Sequence, residues 1–253
     1  MKAIAIDGLS KAYSDKLVFE DFSLRVERGE VVAILGPSGC GKSTLLRCIA
    51  GLERPDSGTV HIAGEIGMIF QEPRLFPWKT VRDNVAFAAR NRAERARVDE
   101  TIELVGLASA QDRLPKHLSG GMAQRAALAR SLVRRPDVLL LDEPLAALDA
   151  LRRLELGRAL ADILAAARTA SILVTHDVDE AIALADRAIV LDAHPARVRL
   201  DLRVDPAARA GEPIAHDAQR TTLLRALGVE RARPNPNSTT RSLAADNSDE
   251  FAS

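Results

Sequence analysis

The sequence predicts an α/β fold built on a doubly wound parallel sheet, and three observations carry that prediction. Short apolar runs rich in Val, Ile and Leu recur at residues 31–35, 138–141, 171–175 and 188–191, each bounded by turn or charged residues. Runs that are apolar without alternation suit strands covered on both faces. Between them lie stretches of helical character at 42–50, 119–134, 150–168 and 178–186, and strands alternating with helices imply crossover units on a parallel sheet. Residues 3–6, 17–26 and 58–63, punctuated by Gly8, Gly29, Gly58 and Gly64, read as short strands of a small antiparallel layer near the N-terminus.

Residues 83–117 have a different pattern. Val98, Ile102 and Val105 fall on one helical face among Arg and Glu, and Gly106 is placed to end that helix. This predicts a helical subdomain, spanning 83–135 with the helix that follows, inserted into a single domain at 1–232. The run RNRAERAR at 90–97 interleaves Arg with Glu and Ala, which describes a solvated helix face better than a nucleic-acid patch. From Arg233 onward Pro, Asn and Ser dominate, so 233–253 is expected to be a disordered tail.

Composition narrows the function classes. The 35 basic and 35 acidic side chains cancel, and aromatic residues make up 3%, so neither a net field nor stacking platforms favour nucleic acid as a partner. The two cysteines, Cys40 and Cys48, would lie roughly 12 Å apart on one helix, too far for a disulfide. That suits a reducing compartment. The start MKAIAIDGLSKAY reaches Asp7 after too few apolar residues for a signal peptide. The longest apolar runs fall far short of the roughly 20 residues that cross a bilayer.

Residues 36–44 read GPSGCGKST, directly after the apolar run VVAIL and directly before LLRCIAG. This is the strand–loop–helix setting of a phosphate-binding loop. Gly36, Gly39 and Gly41 let the backbone of Gly36, Pro37, Ser38, Gly39, Cys40, Gly41, Lys42, Ser43 and Thr44 curl its amides towards phosphate oxygens, helped by the positive end of the next helix. Lys42 is suited to the β- and γ-phosphates of ATP, and the Ser43 hydroxyl to Mg2+, a cation that favours oxygen ligands. Cys40 at this helix start has reason for a lowered thiol pKa and hence reactivity, whereas Cys48 belongs to the core.

The run VLLLDEP at 138–144 delivers two carboxylates at the C-terminal end of a strand, where open α/β sheets bind ligands. Asp142 is suited to hold the Mg2+ shell, and Glu143 to orient or deprotonate an attacking water.

Residues 118–125, LSGGMAQR, open a helix and resemble the signature sequence of ABC ATPases. The resemblance implies that Ser119, Gly120 and Gly121 contact the γ-phosphate held by an opposite subunit. Met122 replaces the Gln usual after the paired glycines, which removes a polar group near that nucleotide. The family's other elements follow in order. Tyr13 matches the adenine-stacking aromatic, Gln71 the Q-loop glutamine that serves metal and attacking water, Asp149 of LAALD the D-loop aspartate, and His176 the switch histidine that senses the γ-phosphate. The resemblance is strong over about 1–195, and the chain is expected to lack the regulatory domain that some importer ATPases append.

The resemblance implies a homodimer of ATPase subunits that closes on ATP and reopens on hydrolysis, at the cytoplasmic face of the membrane. An integral membrane permease would dock a short helix in a groove near 71–90, and a solute-binding protein would act indirectly. The stretches MIFQEPRLFPWKTVRDNVAF and LDEPLAALDALRRLEL resemble the nitrate, sulfonate and taurine importer branch, with aliphatic sulfonate first. An importer of a pyrimidine thiamine precursor or of nitrate is the alternative. A soluble ABC ATPase acting on DNA or ribosomes would carry two cassettes or a long coiled coil, and a small-molecule kinase would need neither 118–125 nor a second chain.

Overall fold

The computed structural model describes residues 2–14, 16–146, 150–193 and 195–229. The expectations for Asp149 and for the tail at 233–253 therefore lie outside the described residues. Strands β1 (Lys2–Tyr13), β2 (Lys16–Glu27) and β4 (Ser57–Ile62) form an antiparallel layer in the order β2-β1-β4. A second sheet contains β3 (Val31–Leu35), β5 (Ile66–Ile69), β6 (Val138–Asp142), β7 (Ala170–Val174), β8 (Arg187–Leu191) and β9 (Val198–Arg203) in the order β5-β6-β7-β3-β8-β9. Its pairs are parallel except β8 with β9.

Successive residues of the central strands feed two separate cores. Val32, Ile34, Val138, Leu140, Ile172 and Val174 pack with the antiparallel layer and with α1 (Lys42–Ile49), while Ala33, Leu35, Leu139, Leu141 and Leu173 pack with the helices of the other face. Both faces are covered, which is why these strands read as unbroken apolar runs.

The inserted helical region comprises α2 (Val81–Ala88), α3 (Arg92–Ala96), α4 (Val98–Leu104) and α5 (Gly120–Leu132). Val98, Ile102 and Val105 are buried, and Gly106 ends α4 in the left-handed region at φ 68°, both as the spacing predicted. The 90–97 segment is mostly solvated, but Glu94 is buried and accepts the Arg90 backbone N–H at 2.6 Å.

The structure extends the expected pattern in two places. β1 runs on from Ile6 to Tyr13 through several register shifts, so polar residues such as Ser10 interrupt the alternation without ending the pairing. Beyond α6 (Ala150–Ala167) and α7 (Val178–Leu184), the chain adds β9, α8 (Pro206–Arg209) and α9 (Pro213–Ala226), none of which the apolar periodicity announced. β9 is an edge strand with charged residues at alternate positions, and Leu223 is the one fully buried side chain recorded on α9, so neither carries a strong apolar signal. Among the described residues no helix is long and apolar enough to cross a membrane.

Candidate functional site

Parallel pairing brings the C-terminal ends of β3, β5, β6 and β7 to one edge of the sheet, where the loops that follow them meet. The loop after β3 turns into α1 through Gly41, whose φ is 108°. A Cβ there would lie 2.4 Å from Val18 Cγ1, so only glycine lets the loop rest on β2. Pro37, Ser38 and Gly39 are exposed at the tip, while Lys42 is buried with its Nζ donating to the carbonyls of Gly36 at 2.7 Å and Pro37 at 3.1 Å. Ser43 and Thr44 follow, half-buried, in the first turn of α1.

Cys40 overturns one expectation. Its side chain is fully buried within an apolar cluster, with Sγ 2.9 Å from where a Cβ on Gly36 would lie. Burial pushes the thiol pKa up, and the Lys42 charge offsets this only in part. The helix N-terminus does not activate a sulfur held on the inner side of the loop. Cys48 is buried in the same cluster, as expected.

Across the gap between α1 and β6, Ser43 Oγ donates to Asp142 Oδ1 at 3.1 Å. Burial raises the Asp142 pKa, the Ser43 hydrogen bond opposes it, and the neighbouring Glu143 charge adds to the rise. Glu143 itself lies in the left-handed region at φ 47°, an uncommon conformation for a non-glycine residue and one that clusters at functional sites. Its backbone N–H still bonds Val174 O at 2.9 Å, which prolongs the β6–β7 ladder while the chain turns away. The turn aims the carboxylate at the residue after Thr175: Glu143 Oε2 lies 3.4 Å from His176 Nδ1.

The residues on either side of His176 are held in place. Thr175 Oγ1 donates to Glu180 Oε2 at 2.6 Å and accepts the Asp177 N–H at 3.0 Å. Asp177 caps α7 through the Asp179 and Glu180 N–H groups and pairs with Arg153 of α6 at 3.0 Å. Sequence reasoning missed Thr175, Glu180, Asp177 and Arg153. The run THDVDEA offered only a capping pattern around the histidine, with no sign that Glu180 is buried.

Burial pushes the Glu180 carboxyl up to about 7, so the folded protein holds a proton that the unfolded chain releases nearer 4.5. The folded state then binds more protons than the unfolded one, and this group's contribution to stability is full below that lower value and lost as pH rises through about 7. Glu180→Gln is expected to remove this dependence, narrowing the stability difference between pH 5 and pH 8 by up to about 3 kcal/mol. Denaturant titrations at the two pH values measure it, and parallel profiles for both proteins would refute the assignment.

The other anticipated residues lie apart from this cluster. Gln71 is exposed beyond the end of β5 and makes no side-chain hydrogen bond among the described residues, so nothing joins it to Ser43 or Asp142. Ser119 caps α5, accepting the Met122 N–H at 3.3 Å. Gly120 is exposed, and a Cβ on Gly121 would meet nothing within 4 Å, so no crowding inside this chain demands a glycine there. Met122 packs partly buried against the apolar core. Tyr13 ends β1 with 42% of its surface exposed.

The family model described as ABC transporter matches residues 19–146. The chain is 47% identical over 229 residues to a Burkholderia cenocepacia protein named aliphatic sulfonates import ATP-binding protein SsuB 2, covering 86% of this chain and 84% of that one. A Streptomyces avermitilis protein, SsuB 1 of the same description, is 45% identical over 230 residues, covering 91% and 88%. Among solved structures, cbiO1 from Clostridium perfringens, part of the ABC transporter complex cbiONQ, superposes with a TM-score of 0.74 at 30% identity, covering 88% of this chain and 96% of that one. The ATP-binding cassette MJ0796, solved as a dimer in a post-hydrolysis state with ADP and Pi, gives 0.67 at 27% identity, covering 80% and 99%.

Proposed function

The chain belongs to the ABC transporter family of ATP-binding proteins, and from that premise we propose that it is the ATP-hydrolysing subunit of an aliphatic sulfonate importer, working as a pair of copies beneath a separate permease. The observation that carries the catalytic reading is the end of β6, where Asp142 bonds Ser43 and Glu143 faces His176.

Residues 36–44 cradle the phosphates of ATP, and Lys42 exchanges the Gly36 and Pro37 carbonyls for β- and γ-phosphate oxygens. The Ser43 hydroxyl and Asp142 carboxylate are hard oxygen donors on facing elements, which suits Mg2+, with Gln71 joining them when the site closes. When bound, Mg2+ neutralises charge on the phosphates. Glu143 orients and deprotonates the attacking water, and His176 holds the γ-phosphate while fixing that carboxylate. Tyr13 stacks on adenine. Ser119, Gly120 and Gly121 of the second copy complete the γ-phosphate site, with Asp149 at the same interface, and the open space at Gly121 supports close approach of a group from outside the chain.

The permease seat is an aromatic knob beside the Q-loop. Trp78 is 72% and Phe87 61% exposed, and both pack on Phe76, with ring centroids 5.6 and 4.6 Å away. Exposed aromatics held in fixed geometry suit an interface anchor. A groove of about 470 Å3 lined in part by Phe76, Phe87, Arg90 and Arg130 adjoins them. Docking here places the chain on the cytoplasmic face of the membrane, with the solute-binding protein on the far side of the permease.

Proteoliposomes holding this chain, its permease and the binding protein test the reading. Alkanesulfonates should raise ATP hydrolysis, and Trp78→Ala should lower that stimulation roughly tenfold or more with basal hydrolysis unchanged. Stimulation by nitrate or a pyrimidine alone would replace the solute, and stimulation by none of them would remove the importer reading.

A further inference from the structure

Lys11 is a long cationic side chain in the antiparallel layer, yet it is only 8% exposed. Its ammonium donates to Arg54 O at 2.9 Å, pairs with Glu53 Oε1 at 3.1 Å and Asp56 Oδ1 at 3.3 Å, and lies 5.1 Å from the centroid of the Tyr13 ring. The Glu53 hydrogen bond, with help from Asp56, raises the lysine pKa, so the group stays charged. Glu53, Arg54 and Asp56 belong to the segment leaving α1, the helix that begins at the phosphate loop. The same Asp56 takes the Ala12 N–H on Oδ2 at 2.7 Å, and its own N–H bonds Ser10 O at 2.9 Å. One ammonium therefore ties the exit of the phosphate-loop helix to the strand end that carries Tyr13.

We propose that Lys11 is a positioning residue for the nucleotide base: its ammonium, fixed by Glu53, Arg54 O and Asp56, backs one face of Tyr13 and sets that ring at a fixed reach from the phosphate cradle. The inference rests on Tyr13 stacking the adenine. A cation against one face of a phenol ring draws π density towards itself, which lessens repulsion when an electron-rich purine stacks on the remaining face. Two carboxylates for one ammonium exceed what neutralising a surface lysine requires. They hold the charge in place over the ring and against the segment leaving α1 at once.

The test compares the affinity of the full chain, as wild type, Lys11→Met, Lys11→Arg and Tyr13→Ala, for ATP and for inorganic tripolyphosphate, which has no base. Lys11→Met keeps the buried stem and removes the charge. It should weaken ATP roughly three- to tenfold, leave tripolyphosphate unchanged and leave the turnover number at saturating ATP unchanged, with Lys11→Arg restoring most of the loss. Tyr13 is the chain's only tyrosine, so its absorbance change on adding ATP is a second readout and should shrink in Lys11→Met. If Tyr13→Ala weakens ATP and Lys11→Met does not, the lysine has no such role and the stacking reading stands. Equal weakening of ATP and tripolyphosphate by Lys11→Met would make it a support of the phosphate loop and overturn the inference. If Tyr13→Ala leaves ATP affinity intact, the stacking reading fails and the inference fails with it.

Discussion

Glu143→Gln is expected to lower ATP hydrolysis by roughly 10²–10⁴-fold, the range a positioned general base contributes, without weakening ATP binding. The amide keeps the size of the side chain and its reach towards His176, 3.4 Å away, but cannot accept the proton of the attacking water. Folding should survive. The residue's backbone N–H bond to Val174 O does not involve the side chain, and removing its charge eases the half-buried Asp142, whose pKa the Glu143 charge helps to raise. ATP should then accumulate unhydrolysed and hold two copies together, visible as an ATP-dependent shift in gel filtration. Hydrolysis within tenfold of wild type would show that another group accepts the proton.

Mixing two inactive variants should regenerate activity. Ser119→Arg places a bulky cation at the start of α5, where in the proposed pair it obstructs the site of the opposite copy and leaves its own phosphate loop untouched. Ser119→Arg and Glu143→Gln are each expected to be nearly inactive alone. In the proposed pair each site takes Glu143 from one copy and Ser119 from its partner, so in a mixed pair both lesions would fall on one site and leave the other intact. Random pairing of equal amounts makes half the dimers mixed with one working site in two, so roughly one quarter of wild-type activity should return. The measurement is hydrolysis before and after exchange of subunits. Activity that stays at the level of the separate variants would mean each chain works alone.

The strand–loop–helix around residues 36–44, the carboxylates at the end of β6 and the α/β class were legible because their signals are local. Residues 36–44 carry their glycines, lysine and serine in one stretch, and an unbroken apolar run announces a strand covered on both faces wherever it pairs. The helical insert was legible through Val98, Ile102 and Val105. By contrast, β9 and α9 went unseen because one is a charged edge strand and the other buries little. The Cys40 expectation failed for a related reason: the sequence places the thiol at a helix start but not on the side of the loop that faces Gly36 and the core.

By itself, then, the sequence determined the fold class, the phosphate-binding chemistry and, through LSGGMAQR and its companions, the family. Only the tertiary structure decided which of those residues meet. Ser43 and Asp142 stand 99 positions apart and share a hydrogen bond because α1 and β6 come together at one end of the sheet. The left-handed turn at Glu143 aims its carboxylate at His176 just beyond the neighbouring strand, and burial, helped by the charges of Asp177 and Glu143, raises Glu180. Lys11 meets Glu53, Arg54 and Asp56 because β1 and the exit of α1 lie side by side. Strand order, register and desolvation arise from the whole chain packing at once, so no stretch of residues records them.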